Sequence, residues 1–420
     1  MPEVVSLLAV VGILVAAFVG FNIGGSSTGV AFGPAVGSRL VRKATAAGLF
    51  SVFALAGAWT IGRNVIATMS DGIVPAAQFS PAAGVGVLFF TGFSLLISNI
   101  YGVPASTSMT AVGAIVGLGL ATGSLNEALM FTIVSAWIVA PLVGFAIGAV
   151  IGRYVYPQLD ARLSFTRLQR QLIQVDRSGR LPRLHLNPNA SSRDLVASFL
   201  VLGIACYMGF SAGASNAANA VAPLVGNGTV DTSQGVLLAV AAISLGGFTI
   251  ARRTLATVGE GITDLPILAA LIVSTVGATI ITVLSYLGIP ASLAVSTTCC
   301  IIGLGWGRAS RAVTLAELAT PSVEPEPGPG LSTGALAAPS VADDDTGGTT
   351  VGDIASGETE EPATPPKETP TVPPIGEEDI EELTAEDLFD PAATSRIVFL
   401  WVATPALSVV GSYVLFAFLL

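Results

Sequence analysis

The chain carries one membrane-type segment twice, 189 residues apart. Residues 20–37 read GFNIGGSSTGVAFGPAVG and residues 209–226 read GFSAGASNAANAVAPLVG. They align without a gap and match at Gly20/Gly209, Phe21/Phe210, Gly24/Gly213, Ser26/Ser215, Pro34/Pro223 and Gly37/Gly226. The register continues through TIGRNVIATMSDGI (60–73) and TIARRTLATVGEGI (249–262). A second pair follows at an offset of 186: YGVPASTSMTAVGAIVGLG (101–119) against LGIPASLAVSTTCCIIGLG (287–305). Each copy sets glycines and small polar residues inside apolar surroundings. Opened backbone is tolerated in a bilayer only where it lines a site. Paired interrupted helices in corresponding halves point to a transporter's binding centre. The repeat therefore predicts two broken helices facing one site.

Composition agrees with a membrane body. Hydrophobic residues make up 52% of the chain and charged residues 11%, too few charges to coat a soluble protein of 420 residues. Apolar runs recur at 4–21, 44–61, 84–98, 129–151, 195–208, 235–251, 265–287 and 397–420, which predicts a polytopic all-α membrane protein. Glu3 and the lack of a basic n-region predict that the first run is a span and not a cleaved leader. The net charge of −10 is unevenly placed: residues 315–391 hold 19 of the 28 acids and one of the 18 bases, so the remainder is net positive. Cys206, Cys299 and Cys300 lie in apolar stretches without metal-ligand partners, and the single histidine, His185, falls in a polar loop.

Five units follow: a first transmembrane repeat (1–152), an Arg-rich loop (153–193), the main part of a second repeat (194–314), an acidic insert (315–391) and a final helix (392–420). The loop contains eight arginines and reads as a cytoplasmic topology signal with anionic-lipid contact, in preference to a nucleic-acid patch. The insert is rich in Pro, Gly, Thr, Ser and acids, cannot bury enough apolar surface to offset chain entropy, and reads as disordered. Spans near 4–38, 44–62, 84–102, 104–121 and 126–151 make five crossings, so the second copy, near 194–226, 233–251, 264–288, 290–306 and 394–419, runs upside down. This inverted repeat of five plus five puts the N-terminus outside, and the loop and insert inside. The 104–121 and 290–306 segments are alternatively re-entrant hairpins.

Two constellations carry the chemistry. Ser26, Ser27 and Thr28 in one copy and Ser215, Asn216 and Asn219 in the other supply hydroxyls and amides beside unwound helix ends, whose N–H groups attract an anion and whose carbonyls hold a cation. PASTSMT (104–110) and PASLAVSTT (290–298) start helices with Pro, Ser and Thr, placing Ser106, Thr107 and Ser292 where an oxyanion would meet donors. Neutral donors and helix ends carry recognition, since no Lys or Arg lies within either constellation. The acids near the bilayer are Asp71, Glu260, Asp264 and Glu127; Asp71 and Glu260 align at offset 189 and are coupling-ion candidates beside Asn216 and Asn219.

These segments resemble the two signatures of the inorganic phosphate transporter (PiT) family. The first has the form GANDVANAFGTSVG, against GGSSTGVAFGPAVG (24–37) and GASNAANAVAPLVG (213–226). The second, PVSTTH, is similar to PASTSM (104–109) and more faintly to PASLAV (290–295). The resemblance spans the membrane body without the insert. It implies an inverted-repeat carrier that imports orthophosphate with sodium or protons, some members carrying sulfate. The family's motif Asn and Asp fall on Ser26 and Ser27 and on Ser215 and Asn216, its later Asn on Val30 and Asn219, and its His on Met109 and Val295. Both motif aspartates are thus replaced by neutral residues.

The expected protein is a cation-coupled phosphate carrier of the plasma membrane, with a sulfate or other oxyanion permease as runner-up and an anion channel as the reading from another class. Paired broken helices favour alternating access over a continuous pore. No metal cluster, Walker-type loop or acid–base pair points to an enzyme. No cofactor is expected beyond coupling sodium or protons; the partners are the anion and the bilayer, not nucleic acid, and a homodimer is compatible with the sequence.

Overall fold

The computed structural model describes residues 2–38, 40–100, 106–163, 173–176, 183–186, 192–249, 267–311 and 391–418. The first copy comprises α1 (Pro2–Gly37), α2 (Lys43–Thr60), α3 (Gly62–Ala67, extended by a π-turn over Thr68–Gly72), α4 (Pro81–Ile100), α5 (Thr107–Thr122) and α6 (Glu127–Val150). A short α7 (Tyr156–Leu163) leads towards a two-stranded hairpin, β1 (Ile173–Asp176) and β2 (Arg183–Leu186), in which His185 pairs with Gln174. The second copy comprises α8 (Ser192–Gly226), α9 (Thr232–Thr249), α10 (Ile267–Tyr286), α11 (Leu293–Ala309) and α12 (Pro391–Phe418). Among the described residues, seven helices are long and apolar enough to cross a membrane, and the α2–α3 pair, bent by 59°, passes the same test as one unit. Their lipid-type surface is apolar: Phe131, Phe199 and Phe418 are among the most exposed large side chains.

The two copies pack on one another contact for contact. Helix α1 lies on α9 as α8 lies on α2. A Cβ on Gly24 would overlap the Ile243 carbonyl oxygen, and one on Gly213, its equivalent, would overlap the Ala54 carbonyl oxygen. Ile243 and Ala54 are themselves 189 apart. The same correspondence holds for Gly246 against Phe21 and Gly57 against Phe210. Helices α1 and α8 run in opposite directions, with Gly12 against Leu224 near one end and Gly209 against Phe32 near the other. Equivalent segments in opposite orientation with equivalent partners are what an inverted repeat requires.

These contacts correct the expectation of broken helices. Helix α1 is continuous through Gly24-Gly25-Ser26-Ser27, and α8 through Gly213–Asn219. Their glycines serve backbone-to-backbone approach between helices, the other use of small residues in a membrane. The break lies instead at Ile61, between α2 and α3.

The short segments resolve as hairpin legs. Helix α12 packs along both α4 and α5: Ser408 meets Ser94 while Gly113 meets Pro405, and Gly86 meets Leu415 and Phe416 while Gly117 meets Val409 and Ser412. The order along α12 runs down α4 and up α5, so the two legs are antiparallel. The end of α4 reaches the middle of α1, where the Asn99 amide donates to Asn22 Oδ1 at 3.1 Å. In the second copy, Gly144 meets Ser296 and Cys300, Gly148 meets Cys300 and Leu304, and Gly152 meets Leu304, so α11 runs parallel to α6. Its turn reaches the middle of α6, where Trp137 Nε1 donates to the Pro290 carbonyl at 2.7 Å. The hairpins enter from opposite ends of the bundle and meet inside it. The α4–α5 and α10–α11 pairs are thus two opposed hairpins, and their longer legs, α4 and α10, are themselves long and apolar enough to cross a membrane.

Near the face where α6 and α11 end, Arg153 donates to the Ser310 carbonyl and hydroxyl, and Arg311 donates to the Arg153 carbonyl at 2.6 Å. This lock marks the points where the Arg-rich loop and the acidic insert leave the bundle, on one and the same face. Asp264 and Glu260, and the insert itself, lie outside the described residues.

Candidate substrate-binding site

The start of α5 and the α10–α11 tip converge on the middle of α8. Ser108, in the first turn of α5, donates to the Ala291 carbonyl at 3.0 Å, and Ser215 of α8 donates to the same oxygen at 2.8 Å. Thr107 Oγ1 donates to Asn216 Oδ1 at 2.8 Å. The Asn219 amide nitrogen lies 3.2 Å from Ser108 Oγ and from Asn216 Oδ1 and 3.3 Å from Thr107 Oγ1, three acceptors for two hydrogens. The Asn216 amide nitrogen donates to Ser27 Oγ of α1 at 3.2 Å. Helices α1, α5, α8 and the α10–α11 tip thus contribute to one polar centre.

Local sequence explains the placement. Asn216 and Asn219 are three apart on α8 and so share a face with Ser215 beside them. Ser106 holds the N-cap position of α5 without capping it, so Thr107 and Ser108 enter the first turn together and present adjacent hydroxyls at the positive end of the helix. Ser292 does cap: its hydroxyl accepts from the Val295 N–H at 3.4 Å, which fixes the start of α11 next to Ala291. Gly288, at φ 74°, makes the turn between α10 and Ala291.

The centre is neutral and almost closed on itself. Ser108, Ser215 and Asn219 are buried, and Asn216 is only 7% exposed. Two polar atoms in and beside it are buried without a hydrogen-bond partner, Asn219 Oδ1 and Ser106 Oγ. An unmet buried acceptor costs about 1–3 kcal/mol, so the orphan amide oxygen of Asn219 marks this centre as the candidate site. Chemically, the oxygens of Asn216, Asn219, Ser27, Thr107 and the Ala291 carbonyl are of the kind that can coordinate a cation, and the hydroxyl and amide hydrogens of the same side chains are of the kind that can bind an oxyanion. No group of three or more His, Cys, Asp or Glu gathers among the described residues.

Of the sequence-predicted residues, Ser27, Thr107, Ser215, Asn216 and Asn219 come together here, with Ser106 and Ser292 at the adjoining helix starts. Thr28 points elsewhere: its hydroxyl bonds back to the Gly24 carbonyl at 2.8 Å and packs against Gly247 of α9. Ser26 bonds back to the Ile23 carbonyl at 3.1 Å. Asp71 is exposed at the end of the π-turn, where its carboxylate accepts from the Ala76 N–H at 2.7 Å. Glu260 lies outside the described residues. Sequence reading missed Ser108, the Ala291 carbonyl and Trp137. One signal was available: Trp137-x-x-x-Pro141 recurs as Trp401-x-x-x-Pro405 in the corresponding helices α6 and α12.

Comparison with known proteins agrees with this architecture. The chain is 32% identical over 297 residues to the sulfate permease CysP of Bacillus subtilis (strain 168), covering 70% of this chain and 77% of that one. It is 24% identical over 397 residues to the chloroplastic inorganic phosphate transporter 2-1 of Arabidopsis thaliana, covering 73% and 67%. A solved structure described as the sodium-dependent phosphate transporter superposes with a TM-score of 0.58 at 22% identity, covering 74% of this chain and 93% of that one, which shows a shared fold. Residues 23–320 match the phosphate transporter family, PHO4. With the opposed hairpins and the polar centre between them, these matches establish the chain as a multi-pass membrane protein of the phosphate transporter family.

Proposed function

We propose that the protein is a secondary active transporter that carries inorganic phosphate by cation-coupled alternating access, binding the anion between the two hairpin tips. The observation that carries this reading is the neutral cluster of Ser27, Thr107, Ser108, Ser215, Asn216 and Asn219 beside the orphan oxygen of Asn219. A hydrogen-bearing phosphate can donate to that oxygen while hydroxyls and amides donate to its other atoms. Each hairpin enters from a different face, so withdrawing one tip at a time would open the site to one side at a time. Sodium is the favoured coupling ion, as a co-substrate held by neutral oxygens and by the charge of the anion itself.

A second reading, sulfate as the carried anion, has its own support. The cluster holds no carboxylate, and sulfate, with no proton to share, needs donors alone. The likeness to a sulfate permease supports it too. We place the carrier in the plasma membrane with the Arg-rich loop and acidic insert cytoplasmic; a homodimer is compatible with the fold. Uptake of labelled phosphate into proteoliposomes, competed by sulfate under imposed sodium or proton gradients, tests anion and coupling together.

A further inference from the structure

Side-chain donors from four helices hold the tip of the α10–α11 hairpin. Asn64 donates to the Tyr286 carbonyl at 2.8 Å, Trp137 to Pro290 at 2.7 Å, and Ser108 and Ser215 to Ala291 at 3.0 and 2.8 Å. The bonds of Asn64 and Trp137 fall outside the polar centre, and that of Trp137 holds the carbonyl one residue before Ala291.

A serine hydroxyl has one hydrogen. While Ser108 and Ser215 spend theirs on the Ala291 carbonyl, both present only lone pairs to the rest of the site, and Ser108 accepts from Asn219. In that state they can hold a cation but cannot donate to an oxyanion. The Ala291 carbonyl therefore competes with the anion for the same two hydrogens. Its direction depends on the peptide plane before it, which the indole of Trp137 fixes through Pro290. We propose that Trp137 is a positioning residue that holds the Ala291 carbonyl in competition with the substrate, so that binding of the anion and release of the α10–α11 tip are one exchange of hydrogen bonds. Ser108 and Ser215 turn their hydrogens from the Ala291 carbonyl to the anion when the tip withdraws, and back when Trp137 re-seats it.

This inference rests on the oxyanion-transport reading and makes a prediction opposite in sign to a packing defect. Trp137→Phe keeps the ring and removes the N–H. In proteoliposomes its half-saturating anion concentration should fall about threefold or more, because the hydroxyls are released to the anion. Its maximal rate per folded molecule should fall by a similar factor, because the tip re-seats poorly. Asn64→Ala, which frees the neighbouring Tyr286 carbonyl, should shift both in the same directions more weakly and serves where Trp137→Phe does not fold. Trp306→Phe, at the exposed Trp306 of α11, should change neither. Hydrogen exchange over residues 286–293 should quicken in Trp137→Phe. An unchanged or raised half-saturation in the folded variants, or unchanged exchange at the tip, overturns the proposal. Absence of both phosphate and sulfate uptake by the unaltered protein would instead count against the transport reading.

Discussion

Asn216 and Ser27, which hydrogen-bond to each other at 3.2 Å, are the same position of the two copies, 189 residues apart. Two equivalent residues can touch only where the pseudo-twofold relation between the copies passes, so the polar centre lies on the axis that relates the two copies. Each of the two copies brings one long helix and one hairpin start to that axis. The departure from symmetry is chemical: a hydroxyl faces an amide.

That asymmetry predicts the effect of restoring charge. Ser27→Asp would set a carboxylate beside the Asn216 amide and the neutral oxygens proposed to hold sodium. The half-saturating sodium concentration for uptake should fall about tenfold, equivalent to about 1.4 kcal/mol. Uptake measured against external sodium at fixed pH checks this, and an unchanged sodium response would place the coupling cation elsewhere.

The close helix crossings predict where the fold is brittle. Gly24→Val and Gly213→Val would each force a side chain into the carbonyl of a facing helix, at Ile243 and at Ala54. Overpacking of this kind costs about 1–3 kcal/mol, and here the obstacle is backbone. Yields of folded protein and thermal midpoints in detergent should drop for both. Gly203→Ala, where an added Cβ meets nothing within 4 Å, should be neutral.

The Gly288 turn predicts a smaller, local loss. At φ 74° an L side chain is strained by about 1–2 kcal/mol, and a Cβ there would also crowd Thr68 Oγ1 at 2.8 Å. Gly288→Ala should therefore lower thermal stability and disturb uptake, because the turn carries Ala291. Uptake at the normal rate with unaltered stability would show that the tip tolerates another turn.

The acidic insert should be dispensable for movement of substrate. Its flanks, Arg311 and the start of α12 at Pro391, belong to one face, and the polar centre draws nothing described from it. A chain that joins residue 315 to 391 through a short flexible linker should retain uptake. Loss of uptake in a folded, membrane-inserted protein would make the insert part of the transport cycle.

Much of this architecture was legible in the sequence because a glycine cannot be exchanged where two backbones touch. Gly24/Gly213, Phe21/Phe210 and Gly57/Gly246 keep their spacing in both copies, and they form the crossings. The same glycines misled on helix continuity, since a small residue serves an unwound segment and a tight crossing equally well. Hydropathy measures how apolar a segment is and not how deep it goes, so 104–121 and 290–306 read equally as spans or as hairpin legs. The site was legible where its chemistry sits on side chains: Ser27, Thr107, Ser215, Asn216 and Asn219. The Ala291 carbonyl has no side-chain signature. The Trp-x-x-x-Pro pair was hidden because the acidic insert pushes its second copy out of the 186–189 register.

The most direct test of the central claim is anion affinity in the Ser215→Ala/Asn216→Ala double variant. Each lost hydrogen bond to a charged ligand is worth about 1.5–3 kcal/mol. Uptake of labelled phosphate, with sulfate as competitor, should therefore show a rise in half-saturation of at least tenfold for whichever anion the protein carries, with the protein folded and inserted in the membrane. Half-saturation equal to that of the unaltered protein would contradict a binding site between the two hairpin tips.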